Sequence, residues 1–191
     1  MSDHHPLAVL VRHGATTWSA SGQHTGRTDI PLTATGEAQA EELRTRLAGQ
    51  SFALVLSSPL GRARRTAELA GLDHVIDEPD LLEWNYGDAE GRTTEEIRQQ
   101  WPGWTVWDGP WSGGETIDQV AARADRVVAR VRQLDTGAVA ALVGHGHMLR
   151  VLAARWLGAP PQAGRWLALD TGTLCELGWE HEAAVVRHWN T

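Results

Sequence analysis

No lysine occurs among the 191 residues; all 17 basic side chains are arginine. A lysine Schiff base is therefore excluded, and any phosphate or carboxylate has to be met by guanidinium forks. Cysteine is almost missing as well. Cys175 stands alone, which excludes an internal disulfide and makes a cytoplasmic location the expectation. Tyrosine and phenylalanine occur once each, against ten tryptophans. Long apolar runs are absent: Leu7 to Val11 is followed at once by Arg12, too short for a signal-peptide core or a bilayer span, so no membrane partner is expected. The net charge of −7 argues against a nucleic-acid surface, which needs a basic stripe. With 42% apolar and 21% charged residues, the chain has the composition of an ordinary globular protein, and its length suits one domain over residues 1–191.

What is present is organised by strands and helices in alternation. Leu7 to Val11 reads as a buried strand, and Thr16 to Pro31 as a polar, glycine-containing loop. A helix is expected from about Thr33, with Ala40, Leu43 and Leu47 on one face, and a second strand over Phe52 to Leu56. Ser57-Ser58-Pro59 predicts a helix with a serine cap and proline in its first turn, running to Ala70-Gly71. Val75-Ile76 reads as a short strand. Thr93 to Glu96 and Ser112 to Glu115 both have capping-box spacing, the first for a short helix ending before Pro102. The second introduces the clearest amphipathic helix, with Ile117, Val120, Ala121, Ala124, Val128, Val131 and Leu134 at helical intervals. A strand over 139–143, a helix over 148–157 and strands near 173–179 and 184–189 complete the pattern. The expected fold is α/β, a three-layer sandwich with a mainly parallel sheet covered by helices on both faces.

In such sheets ligands bind beyond the carboxyl ends of the strands. Two strands here run directly into histidine: Val11-Arg12-His13-Gly14 and Val143-Gly144-His145-Gly146. Arg12 and Arg62 are candidates for bidentate contacts to anionic oxygens, and His13 and His145 for donors or nucleophile. A leaving alkoxide needs a proton, and Glu83 after Leu81-Leu82 is a candidate donor. Spacing alone does not separate it from Asp88 or Glu90.

These motifs occur in the order that resembles the histidine phosphatase superfamily, in its phosphoglycerate-mutase-like branch. The resemblance rests on Arg12-His13-Gly14, Ser58-Pro59-Leu60-Gly61-Arg62-Ala63, Glu83 with Tyr86-Gly87, and Gly144-His145-Gly146. Thr25-Gly26, Asp29, Pro31-Leu32-Thr33, Gly36 and Gln39 add to it. It covers nearly the whole chain and is most similar to small bacterial acid phosphatases. It implies a metal-independent hydrolase of small phosphomonoesters, with a phosphohistidine on His13. Arg12, Arg62 and a cationic His145 would hold the phosphoryl oxygens, and Glu83 would act as general acid and base. Ser19, Thr25, Gly26 and Gly146 would lie against the substrate. Ser19 replaces an asparagine, and His147 a second glycine, of the family pattern. Cofactor-dependent mutase transfer and a non-catalytic member that only binds phosphorylated ligands are the alternatives. The complete residue set speaks against the second, and the short chain against the first.

His145-x-His147 has the spacing of a metal pair, but no Asp or Cys cluster completes it, so neither metal nor cofactor is expected. Arg64 and Arg65 read as surface residues, and Glu115 as a capping carboxylate. His4, His5, His74, His181 and His188 have no converging context. The segment Trp101 to Trp111 holds four tryptophans, and three readings stand open: a lid over the site, a loop anchored in the core, or a homodimer contact.

Overall fold

The computed structural model describes residues 5–191; His4 lies outside them. One six-stranded sheet runs in the order β3-β2-β4-β1-β5-β6. Its strands are β1 (Leu7–Arg12), β2 (Leu54–Ser57), β3 (Ile76–Asp77), β4 (Val139–Gly144), β5 (Leu174–Glu180) and β6 (Ala183–His188). The first four in that order are parallel, and β5 and β6 add an antiparallel edge.

The residue alternation along β1 sorts the core into two layers. Val9 and Val11 face helices α2 (Ala34–Leu47) and α3 (Gly61–Leu69), together with Val55, Ala141 and Val143. Ala8 and Leu10 belong to the opposite layer with Leu56, Ala140 and Leu142, against α5 (Ile117–Arg132) and α6 (Gly146–Trp156). Successive side chains of a strand point to opposite faces, so a central parallel strand must be apolar on both.

Helix starts depart from expectation in an instructive way. Thr33 caps α2 by accepting from Gly36 N at 3.1 Å, as its position predicts. Helix α4 (Thr94–Gln100) likewise opens on a Thr93–Glu96 capping box. For α3, however, Ser58 is not the cap and Pro59 is not in the first turn. The helix begins at Gly61, and the carboxylate of Asp29 accepts from Gly61 N at 2.7 Å across the loop. A side chain 32 positions away thus does the capping. Helix α5 opens on Thr116 with Gln119, four residues later than the Ser112–Glu115 pattern, whose Glu115 is spent elsewhere. The polar loop from Thr16 also contains a short helix, α1 (Thr17–Ser21), held by a Thr16–Ser19 capping box. Its lack of apolar periodicity hid it.

Candidate active site

Strands β1 and β4 are parallel neighbours in register, with Arg12 opposite Gly144. The next residues, His13 and His145, therefore emerge side by side beyond the sheet. His13 N donates to Gly144 O at 3.1 Å, and the two rings meet edge to face with centroids 5.1 Å apart. The turn after β1 is pressed onto the start of α2. A Cβ on Gly14 would sit 2.1 Å from the carbonyl oxygen of Gly36, so both positions must be bare for the turn to seat.

His13 is buried, and its Nδ1 lies 2.8 Å from the Gly14 carbonyl oxygen. A carbonyl only accepts, so the ring proton sits on Nδ1 and Nε2 keeps its lone pair. Burial, then the charges of Arg12 and Arg62, hold the His13 pKa well below the ordinary 6.5. Both effects favour the neutral form of the ring. Arg12 donates to Leu169 O through Nη1, while its Nε is buried without a partner. Gly146 lets the guanidinium pack against the start of α6, since a Cβ there would lie 3.2 Å from Arg12 Cζ. Arg12 and His13 line a cavity of about 180 Å³.

Glu83 lines the same cavity and is separated from bulk solvent. Its carboxylate accepts from Trp84 N at 2.8 Å, His147 N at 3.0 Å and Met148 N at 2.8 Å. Two of those amides are free donors in the first turn of α6, which is where a helix favours negative charge. The segment bearing Glu83 is itself anchored. Arg123, on α5, donates to the carbonyls of Asp80 and Leu82 at 2.8 Å each and forks onto Glu115. Glu115 also accepts from Asn85 N at 2.9 Å. Glu115 does satisfy a backbone amide, though not one of its own helix. Neither Asp88 nor Glu90 lines the cavity.

Arg62 and His145 lie behind His13 rather than on the cavity wall. Arg62 is buried, and its guanidinium is filled by Thr28 O at 2.8 Å, Gly26 O at 2.8 Å and His145 Nδ1 at 3.2 Å, with Asp29 at 3.6 Å. The expectation of a cationic His145 is overturned. Arginine can only donate, so His145 Nδ1 accepts and Nε2 carries the proton toward Ser58 Oγ at 2.7 Å. Burial, then Arg62, His13 and Arg12, push its pKa well below the ordinary value. The imidazole is neutral, with both nitrogens engaged.

Among the expected substrate contacts, Ser19, Thr25 and Gly146 line the cavity. Ser19 Oγ is already committed to Thr16, accepting from its N at 2.8 Å and donating to its O at 3.0 Å. Gly26 does not line the cavity. It is packed so closely that a Cβ would lie 2.7 Å from Trp84 O. Residues that sequence reasoning passed over also line it: Gln23, His24, Arg150 and Leu169. Arg150 had a legible signal, since it lies four positions after Gly146 on one helical face. His24 had none. His147, given no role from sequence, contributes its ring to the wall and receives the Tyr86 hydroxyl contact at Nδ1, 2.6 Å.

The tryptophan-rich segment is anchored in the core. Trp104 and Trp107 are buried; Trp104 donates to Pro110 O at 3.0 Å and Trp111 to Val106 O at 2.8 Å. Trp107 meets Trp84 and the rear of His147 edge to face. None of the four tryptophans lines the cavity. Arg64 pairs with Asp77, and Arg65 with Glu37 and Glu68, on the surface. Burial lifts the Cys175 thiol to about 11, which leaves it unreactive. No helix among the described residues is long and apolar enough to cross a membrane.

A buried histidine beside an uncommitted arginine donor, at the carboxyl end of the parallel strands, defines an α/β protein with a histidine–arginine cavity. Residues 8–191 match the histidine phosphatase superfamily (branch 1). An acid phosphatase of Mycobacterium tuberculosis is 40% identical over 182 residues, covering 91% of this chain and 86% of that protein. A sedoheptulose 1,7-bisphosphatase of Saccharomyces cerevisiae is 37% identical over 188 residues, covering 80% and 68%. The solved structure of an open reading frame of Mycobacterium tuberculosis superposes with a TM-score of 0.92 at 37% identity, covering 96% of each chain. The chain belongs to the histidine phosphatase superfamily, branch 1.

Proposed function

We propose that the protein is a phosphatase that hydrolyses small phosphomonoesters through a phosphohistidine on His13. The observation that carries this reading is the His13 ring itself: Nδ1 is tied to Gly14 O, and the ring is held neutral with Nε2 as its free lone pair. Nε2 attacks phosphorus as the ester P–O bond breaks, and the Glu83 carboxyl gives its proton to the departing oxygen. Water then attacks the phosphohistidine, its proton returns to Glu83, and phosphate leaves with Nε2 regenerated. Arg12, whose buried Nε has no protein partner, takes up phosphoryl oxygen charge as it builds. Arg62 and His145 act from behind, as a fixed cation and as a spacer that holds that cation in line. The relatives named as phosphatases support hydrolysis over mutase transfer.

The test is a panel of aryl phosphate, sugar phosphates and phosphoglycerates, with free phosphate and isomerised product both measured. Phosphate release should dominate, survive a chelator, stop with vanadate and vanish in His13→Ala. Dominant isomerisation, or activity lost with the chelator, would overturn the proposal. Trapping an acid-labile phosphoenzyme in the wild type but not in His13→Ala separates covalent catalysis from direct attack by water.

A further inference from the structure

Glu90, which spacing alone left level with Glu83, stays off the cavity wall and faces the loop that holds Arg62. It closes the single helical turn Gly87–Ala89 that follows the Glu83 segment. Its Oε1 accepts from Thr28 N at 2.6 Å and its Oε2 from Arg27 N at 3.2 Å. Among the described residues no guanidinium or imidazole pairs with it, so its charge meets two backbone amides. Chain pairing fixes its own place: Gly91 N donates to His24 O and His24 N to Arg92 O, each at 2.9 Å, and Gln23 bridges Thr93. The fit is close, since a Cβ on Gly26 would lie 2.7 Å from Glu90 Oε2.

The carbonyls of the same loop are turned onto Arg62. Gly26 O and Thr28 O each accept from its guanidinium at 2.8 Å, and Thr25 O at 3.4 Å. With Nε on His145 Nδ1 at 3.2 Å, all three guanidinium nitrogens are engaged. The loop is thus clamped between a carboxylate on its amides and a cation on its carbonyls. The two contacts are also coupled. Gly26 C=O and Arg27 N–H belong to one planar peptide unit, so an anion at the N–H strengthens the carbonyl as an acceptor for Arg62. The Arg62 side chain is wholly buried. Burial lowers its pKa, and Glu83, Asp29 and Glu90 are among the groups that oppose this. A buried cation keeps its charge and its direction only while its acceptors stay in place.

We propose that Glu90 is a positioning residue of the site: it orients the carbonyls of Gly26 and Thr28, and through them fixes Arg62 behind His13. Its effect on turnover rests on the phosphatase reading, whereas its hold on Arg62 does not.

Glu90→Gln tests it, because the variant keeps the shape but leaves one oxygen for two amides and turns an NH2 group onto the other. Solvent exchange of two guanidinium protons is read by NMR on isotope-labelled protein. One is Arg62 Nε–H; the other is Arg123 Nε–H, which donates to Glu115 at 2.8 Å and serves as the control. In the variant the Arg62 proton should exchange about 10-fold faster or more, with the Arg123 proton unchanged. Unchanged exchange at Arg62, or equal acceleration at both, overturns the proposal, the second because it marks general loosening. In turnover of an aryl phosphate, kcat should fall about 10-fold with KM held within about 2-fold. In the Arg62→Lys background, where the fork is already gone, Glu90→Gln should add less than about 2-fold. The same 10-fold loss in both backgrounds would mean that Glu90 does not act through Arg62, and also overturns the proposal. If Arg62→Lys does not fold, the exchange pair decides. If no ester releases phosphate, the phosphatase reading fails instead, and the hold on Arg62 is judged by the same exchange pair.

Discussion

His24 offers a clean measurement of what burying a neutral imidazole costs. Its Nε2 contacts Thr94 Oγ1 at 3.1 Å, and its ring meets Tyr86 and Trp104 edge to face at 5.0 and 5.2 Å. Burial is the cause of its lowered pKa, from 6.5 to about 4. The folded ring therefore resists protonation while the unfolded one accepts it below 6.5, so the unfolded state binds more protons and stability falls as pH falls through this window. Each pH unit inside it is worth about 1.4 kcal/mol. Between pH 7.5 and 5.0 the loss due to His24 comes to about 2 kcal/mol, and well below pH 4 it levels off at about 3.4 kcal/mol. Glutamine at this position keeps a polar side chain and cannot titrate. Denaturant unfolding of the wild type and His24→Gln at both pH values gives four free energies. The wild type should lose about 2 kcal/mol more than the variant on acidification. Equal losses would show that His24 titrates as an exposed imidazole, and would refute its placement between Tyr86 and Trp104.

Three further outcomes follow from the site. Glu83→Gln keeps the carbonyl acceptor for the α6 amides but has no proton to give; kcat should fall about 10²- to 10⁴-fold for alkyl phosphates and far less for a nitrophenyl ester, whose leaving group needs none. Equal losses on both would remove Glu83 from the role of acid. Because the His13 pKa is held well below 6.5, kcat/KM should show no loss of nucleophile on moving from pH 7 to 6; a limb with a midpoint near 6.5 that disappears in no other histidine variant would contradict a neutral, buried ring. Gly14→Ala forces a methyl to within 2.1 Å of Gly36 O, and displacing that backbone should cost about 3 kcal/mol or more, read as a lowered thermal midpoint together with lost turnover. A variant of wild-type stability would disprove the close approach.

Much of this protein is legible from residue order, because the signals involved are local or periodic. Apolar alternation places β1 and β4, the amphipathic repeat places α5, and threonine caps place α2 and α4. The glycine-flanked histidines at two strand ends mark the site, and ordered motifs identify the family. Parallel register then makes His13 and His145 neighbours, a consequence of pairing that strand geometry anticipates. Protonation is another matter. Both histidines look alike in sequence, yet one has a carbonyl at Nδ1 and a free Nε2, while the other is closed off between Arg62 and Ser58. Which groups surround a ring, and how much water they exclude, is set by residues tens of positions apart. The same holds for Asp29 capping α3, for Arg123 tethering the Glu83 segment, and for His24, His147 and Arg150 converging on one cavity. Local physics chose the strands, the helices and the chemistry-bearing residues. Tertiary packing alone decided which imidazole keeps an unengaged ring nitrogen, because desolvation and the direction of a hydrogen bond exist only once distant segments have met.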